Sequence, residues 1–247
     1  MNPIPDATML PRSEGLLVHL RGHLLLFDQK PASQHGDSAG TRLLLIVVGL
    51  EAFRLSVLRW FYPTVPLLFL VLLFLGCALL AVRFGAGLKL SQIAFRPWRE
   101  WTPTEKSYFF QLLVIANVVF PLVFAARLQT ILGQPSALQT VVTVFVPYFF
   151  FGFYQEVVYR GMLQSELVRR WGVLIGILAS NVFYTFGPLH WYYFSSRASL
   201  AVPMFASIFA IGLFFGVLFR RSGNLWIVAV MHGIGNAYIV GSLGPMR

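Results

Sequence analysis

The feature that most constrains this chain is a succession of apolar runs, each about as long as a bilayer is thick. A membrane-crossing helix needs about 20 consecutive, mostly apolar residues. Runs of that kind mark off at about 41–60, 62–83, 106–126, 137–168, 172–191, 199–219 and 223–242. Only 11% of the residues are charged and the mean hydropathy is +0.71, whereas about a quarter of the residues in a soluble domain are charged. The expected fold class is therefore all-α: a polytopic membrane helix bundle of about seven to eight transmembrane helices. The 247 residues suit one such bundle over 41–242. Residues 1–40 precede it as a cytoplasmic or interfacial segment.

The placement of charge decides what the net +10 means. A nucleic-acid binder gathers its Lys and Arg into a stripe on a soluble fold. Here they crowd the N-terminal segment and the loops near 84–105, 169–171 and 220–222. The opposite side of a seven-span bundle keeps only Arg59, Arg127, Arg197 and Arg247. That asymmetry is a topology signal. It excludes nucleic acid as the partner, makes the lipid bilayer the solvent, and predicts a cytoplasmic N-terminus with the C-terminus outside. The residues before Glu14 include prolines and acids and no basic run, so no cleaved secretory signal is expected. The single cysteine, Cys77, lies in an apolar run and rules out a disulfide framework or a cysteine metal site. Residues 15–28 are too short and polar to span, and they read as an interfacial amphipathic helix. Within them, the i,i+4 pair His19 and His23 reads as two solvated interfacial histidines. Residues 29–40 read as a polar linker, and 84–105, with two glycines and two prolines, as a cytoplasmic loop.

Ionisable groups inside membrane segments are expensive and mark function or pairing. The first run carries Glu51 and Arg54, three apart on one helical face, a spacing that allows mutual neutralisation. The fourth run carries Gln155-Glu156-Val157-Val158-Tyr159-Arg160-Gly161. Glu156 and Arg160 are four apart with the acid first, so they share a face as a pair. Gln155 is rotated by about 100° from Glu156 and shares its face with Tyr159. The fifth run ends at Phe186-Gly187-Pro188-Leu189-His190, with Phe186 and His190 one turn apart and Pro188 placed to kink the helix. The seventh holds His232-Gly233-Ile234-Gly235-Asn236, whose outer residues point the same way with two glycines between. That arrangement suits two donors aimed at one oxygen.

Depth tests whether the three clusters meet. At 1.5 Å per residue, Gln155 lies about 21 Å from the level of Arg169, His232 about 16 Å from Arg221, and His190 about 30 Å from Arg170. Tilt or a kink at Pro188 is needed to bring His190 level with the others.

The three motifs resemble those of the CAAX-protease and bacteriocin-processing family of intramembrane glutamic endopeptidases, Glu-Glu-x-x-x-Arg, Phe-x-x-x-His and His-x-x-x-Asn. They occur in that family's order over about 137–242, its catalytic core. The resemblance implies hydrolysis of a peptide bond in a membrane-anchored protein or peptide, such as a C-terminal or prenylated tail, in a prokaryotic cytoplasmic membrane. It also implies the roles. The residue at position 155 and His190 activate a water, His232 and Asn236 stabilise the oxyanion, and Glu156, Arg160 and Phe186 support the site. No cofactor is implied. A zinc ion held by His190, His232 and Glu156 is the alternative, but no His-Glu-x-x-His helix is present and Arg160 accounts for Glu156.

The chain departs from the family at Gln155. A carboxamide positions a water but is no useful base, so this copy is expected to be inactive or impaired. Three explanations stand: an inactivating substitution of Glu by Gln, a natural non-catalytic relative, or a base supplied by Glu156 on a rearranged helix. Two functions of other classes also remain open. A non-catalytic membrane binding protein would hold a peptide tail or partner helix in the same cavity. A small transporter would need paired broken helices in matching halves, and none is visible.

Overall fold

The structure, a computed structural model, describes residues 36–62, 64–188, 190 and 201–243, except for the side chains of residue 104 and residues 240–243. Every long element among these residues is a helix. In chain order they are α1 (Asp37–Phe61), α2 (Leu67–Gly85), α3 (Pro103–Val123), α4 (Ala125–Leu132), α5 (Ala137–Trp171), α6 (Val173–Phe186), α7 (Ala201–Ser222) and α8 (Leu225–Leu243). Four of them, α2, α3, α5 and α7, are long and apolar enough to cross a membrane. The seven apolar runs all fall in helices, but with altered limits. The first helix begins at Asp37, inside the expected linker. The eighth helix is the short α4, between the third and fourth runs. The expected interfacial helix with His19 and His23 lies outside the described residues.

Local chemistry accounts for several of these limits. Thr102 opens α3 with a reciprocal cap: its hydroxyl accepts from the Glu105 N–H at 3.2 Å, and the Glu105 carboxylate accepts from the Thr102 N–H at 2.7 Å. Pro103 then occupies the first turn, where its missing N–H costs nothing. In α5, Pro147 cannot donate to the carbonyl four residues back, and just before it, over Val141–Phe145, the helix widens to π geometry. It widens again over Val157–Gln164, which takes in all of the polar motif after Glu156. Gly172, at φ 80°, takes the left-handed conformation that reverses the chain from α5 into α6. The expected loop at 84–105 contains two short 3₁₀ turns, Leu90–Ile93 and Trp98–Glu100. It is pinned to the bundle where Leu225 N–H donates to the Ala94 carbonyl at 2.9 Å.

The core gathers around α5. Tyr154, Val157, Val158, Tyr159 and Met162 of α5 are buried together with Phe74 of α2, Leu43 of α1 and Ile227 to Ala229 of α8. The outer faces are apolar instead of polar. Val114, Ile115, Val118, Leu122 and Val123 of α3, and Leu174, Ile175 and Phe183 of α6, are exposed. A contiguous exposed apolar surface is a liability in water and the normal condition in hydrocarbon. Polar residues are concentrated inside: Gln155, Glu156, Arg160, Gln164, Asn181, Thr185 and His232 are all buried.

Candidate active site

The site exists because α5 and α8 touch backbone to backbone. A Cβ on Gly152 would sit 2.8 Å from Gly233 N, and one on Gly233 would sit 2.7 Å from the Phe149 carbonyl oxygen. Only glycine fits on both sides of so close a crossing. Gly161 of the motif also admits a close neighbour: a Cβ there would meet the Leu225 side chain at 3.2 Å and the Ile93 carbonyl oxygen at 3.5 Å. The crossing sets His232 and Asn236, one turn apart on α8, against Glu156 and Gln155 of α5.

Two hydrogen bonds join those pairs. His232 Nδ1 donates to Glu156 Oε1 at 2.6 Å, and Asn236 Nδ2 donates to Gln155 Oε1 at 3.2 Å. The first gives Glu156 a second partner. The expected pair with Arg160 is present as a buried ion pair, with Nε and Oε2 3.5 Å apart, and neither of these two atoms has a hydrogen-bond partner among the described residues. Arg160 also reaches a third helix. Its Nη2 donates to the Gly212 carbonyl of α7 at 2.8 Å, and its guanidinium lies 4.6 Å from the centroid of the Tyr184 ring. Gln164 and Asn181 likewise donate to the α7 carbonyls of Gly216, at 2.8 Å, and Phe209, at 2.9 Å. Interhelical hydrogen bonds of this kind, beside small residues, are the usual cement between membrane helices.

His190 reaches the site by a route the sequence did not suggest. The helix is not kinked at Pro188. It ends at Phe186, where Gly187 turns extended, and the chain folds back so that His190 Nδ1 donates to the Tyr184 carbonyl at 2.9 Å. The imidazole then packs edge-on to the Tyr184 ring at 4.8 Å, and Tyr184 OH donates to His232 Nε2 at 3.3 Å. Tyr184 therefore stands between the two histidines. No spacing rule exposed it, because its contacts depend on where α6 stops. Phe186, expected to support the site, faces outward and stacks on Phe205 of α7 at 4.7 Å.

Among the described residues no three His, Cys, Asp or Glu side chains are grouped to hold a metal ion. Glu156 and His232 share a hydrogen bond at 2.6 Å.

The segment from α5 to Tyr238 of α8, residues 137–238, matches the family described as type II CAAX prenyl endopeptidase Rce1-like. The likeness to that family is of this segment, less than half of the chain. The resemblance read from the three motifs holds over the helices that build the site, while α1 to α4 lie outside the match. With the apolar helices described above, the chain is an integral membrane protein with an Rce1-like core. Neither a curated protein nor a solved structure matches the chain.

Proposed function

We propose that the protein is an intramembrane endopeptidase. It hydrolyses a peptide bond near the membrane surface in a membrane-anchored substrate carrying a C-terminal or prenylated tail. One observation carries the reading. Polar groups from α5, the end of α6 and α8 meet around Glu156, His232 and Tyr184 within a segment of apolar helices matched by a CAAX endopeptidase family. In the roles implied by the resemblance, the residue at 155 and His190 activate the water, His232 and Asn236 hold the oxyanion, and Glu156 and Arg160 support them. Such donors are worth several kcal/mol in a dry site, roughly 2.7–4 for one of them. The proposed setting is a prokaryotic cytoplasmic membrane with the N-terminus inside, and the reaction uses no metal. Metal analysis of protein purified without chelator tests that last point, since stoichiometric zinc would replace this mechanism.

Gln155 deprives that route of its carboxylate, so the chain runs it slowly or not at all. The test is cleavage of a farnesylated CAAX peptide by protein reconstituted in vesicles, as the native chain and as Gln155→Glu. Faster cleavage by Gln155→Glu supports the reading. The second reading is a non-catalytic protein that binds a peptide tail, favoured by the closed carboxamide pair Gln155–Asn236. Tight binding of the peptide without cleavage by either form would establish it and remove the first.

A further inference from the structure

The two imidazoles of the pocket have their Nδ1 atoms committed. The Nδ1 of His232 meets a carboxylate oxygen at 2.6 Å and that of His190 a backbone carbonyl at 2.9 Å. Neither oxygen can donate if Glu156 is ionised, so Nδ1 carries the proton in both rings and Nε2 presents a lone pair. On His232 that lone pair accepts the Tyr184 hydroxyl at 3.3 Å. This is the tautomer of a base. An oxyanion donor would need its proton on Nε2. Gln155 shows the converse. Its Oε1 is taken by Asn236, and the rest of its carboxamide is an NH₂ group, which only donates. Position 155 therefore offers a donor where the family has an acceptor, and His232 offers an acceptor where the family roles call for a donor.

The geometry points to an exchange of roles in this chain: the Glu156–His232 pair takes the proton of the attacking water through His232 Nε2, and the Gln155 amide donates to the oxyanion. The inference rests on the endopeptidase reading and deepens it. His232 suits the base role because a carboxylate stands behind it, which stabilises the imidazolium as it forms. The Nδ1 of His190 meets a neutral carbonyl instead. Arg160, 3.5 Å from the far oxygen of Glu156 and bonded to α7, leaves the near oxygen to His232. Glu156 is a positioning residue and His232 the catalytic one.

The atoms balance without any further reagent. A water enters beside Tyr184, accepting its hydroxyl and donating to His232 Nε2. As the water oxygen bonds to the scissile carbonyl carbon, its proton passes to Nε2 and the carbonyl π pair moves to oxygen, where the Gln155 NH₂ meets it. Collapse re-forms the C=O bond. The C–N pair departs with nitrogen, and Nε2 returns the proton to that nitrogen. One water and one peptide bond become one carboxyl and one amine.

The decisive measurement is ¹⁵N NMR of the full chain, histidine-labelled in nanodiscs, with His232 assigned by its loss in His232→Asn. A protonated Nδ1 beside a bare Nε2 at neutral pH is the expected result, and a proton on Nε2 overturns the proposal. The kinetic arm uses the farnesylated CAAX peptide. Slow cleavage by the native chain should fall by about 10²–10⁴-fold in Glu156→Gln, in kcat and not in KM. In Gln155→Ala it should fall by about 10²–10³-fold. Cleavage by Gln155→Glu with none at all by the native chain overturns the exchange and leaves the endopeptidase reading standing. If neither form cleaves, the endopeptidase reading falls and takes the exchange with it. Native turnover that is indifferent to Gln155→Ala also overturns it.

Discussion

Among the described residues two acid–guanidinium pairs are buried, and they differ in how tightly they close. In α1, Glu51 and Arg54 close on each other: Arg54 Nη2 donates at 2.7 Å and Nε at 3.2 and 3.3 Å to the two carboxylate oxygens. Tyr154 OH adds a hydrogen bond to Glu51 at 3.2 Å. In α5, Glu156 and Arg160 pair more loosely, at 3.5 Å, and each also bonds to another helix, the acid to His232 of α8 and the guanidinium to Gly212 of α7. The first pair lies in regular α-helix, while the second runs into the π stretch Val157–Gln164. A tight pair spends its hydrogen bonds on itself. A loose one leaves the acid's other oxygen to an imidazole and the guanidinium's other nitrogen to a carbonyl. π stretches recur at functional sites for reasons of this kind.

The comparison breaks first on paired replacements, where the largest effects are expected. Arg54→Leu alone strands the buried Glu51 carboxylate and should cost roughly 3–5 kcal/mol of stability, whereas Glu51→Leu combined with Arg54→Leu should be near neutral. Denaturant unfolding in micelles reads the first quantity, and cleavage of the tail peptide should survive in the double variant. The same double replacement at Glu156 and Arg160 should abolish cleavage even where the fold persists. Loss of cleavage in the Glu51/Arg54 double variant would place α1 on the substrate path and end the distinction drawn here.

The crossing of α5 and α8 offers a sharper, smaller test. In Gly233→Ala the new Cβ meets the Phe149 carbonyl at 2.7 Å and its ring at 2.8 Å. Overpacking of that kind costs about 1–3 kcal/mol, and any separation of the helices draws His232 and Asn236 away from Glu156 and Gln155. Gly235→Ala, two residues on, meets only the Phe120 ring at 3.7 Å, an ordinary contact. The first variant should lose both stability and turnover, and the second should keep both. Equal behaviour of the two would mean that the crossing does not set the site.

Much of this was legible in the sequence. Helical class, the run limits to within a few residues, and the identity of the clustered polar residues follow from bilayer length and from the rarity of ionisable groups in apolar segments. What was hidden depends on departures from ideal helix geometry. The i,i+4 rule found the Glu156–Arg160 ion pair, but not the bonds that the two side chains make to α8 and α7, beside a π stretch that the rule does not describe. The depth estimate left His190 stranded because it assumed a helix through Pro188, and the chain turns at Gly187 instead. Tyr184 was invisible because it carries no charge and sits in an aromatic stretch. Its importance comes from the fold-back that lays His190 against it.

The smallest effect is expected at Tyr184, and it separates the ring from the hydroxyl. The ring packs on Tyr159 at 5.4 Å, on His190 at 4.8 Å and beneath the Arg160 guanidinium at 4.6 Å. The hydroxyl makes a longer bond to His232 Nε2, at 3.3 Å. Tyr184→Phe keeps every ring contact and removes one hydrogen bond, a loss of about 1 kcal/mol or less. Because that hydroxyl supplies a single hydrogen bond, to His232 at rest and to an entering water during reaction, turnover should change by less than about 10-fold, on the scale where 1.4 kcal/mol is a factor of ten. Tyr184→Leu removes the platform between the two histidines and the cation–π contact as well, so its loss in both unfolding and cleavage should be clearly larger. Should Tyr184→Phe instead match Tyr184→Leu, the hydroxyl and not the ring would be what holds the Glu156–Arg160 pair of α5 in register with α8.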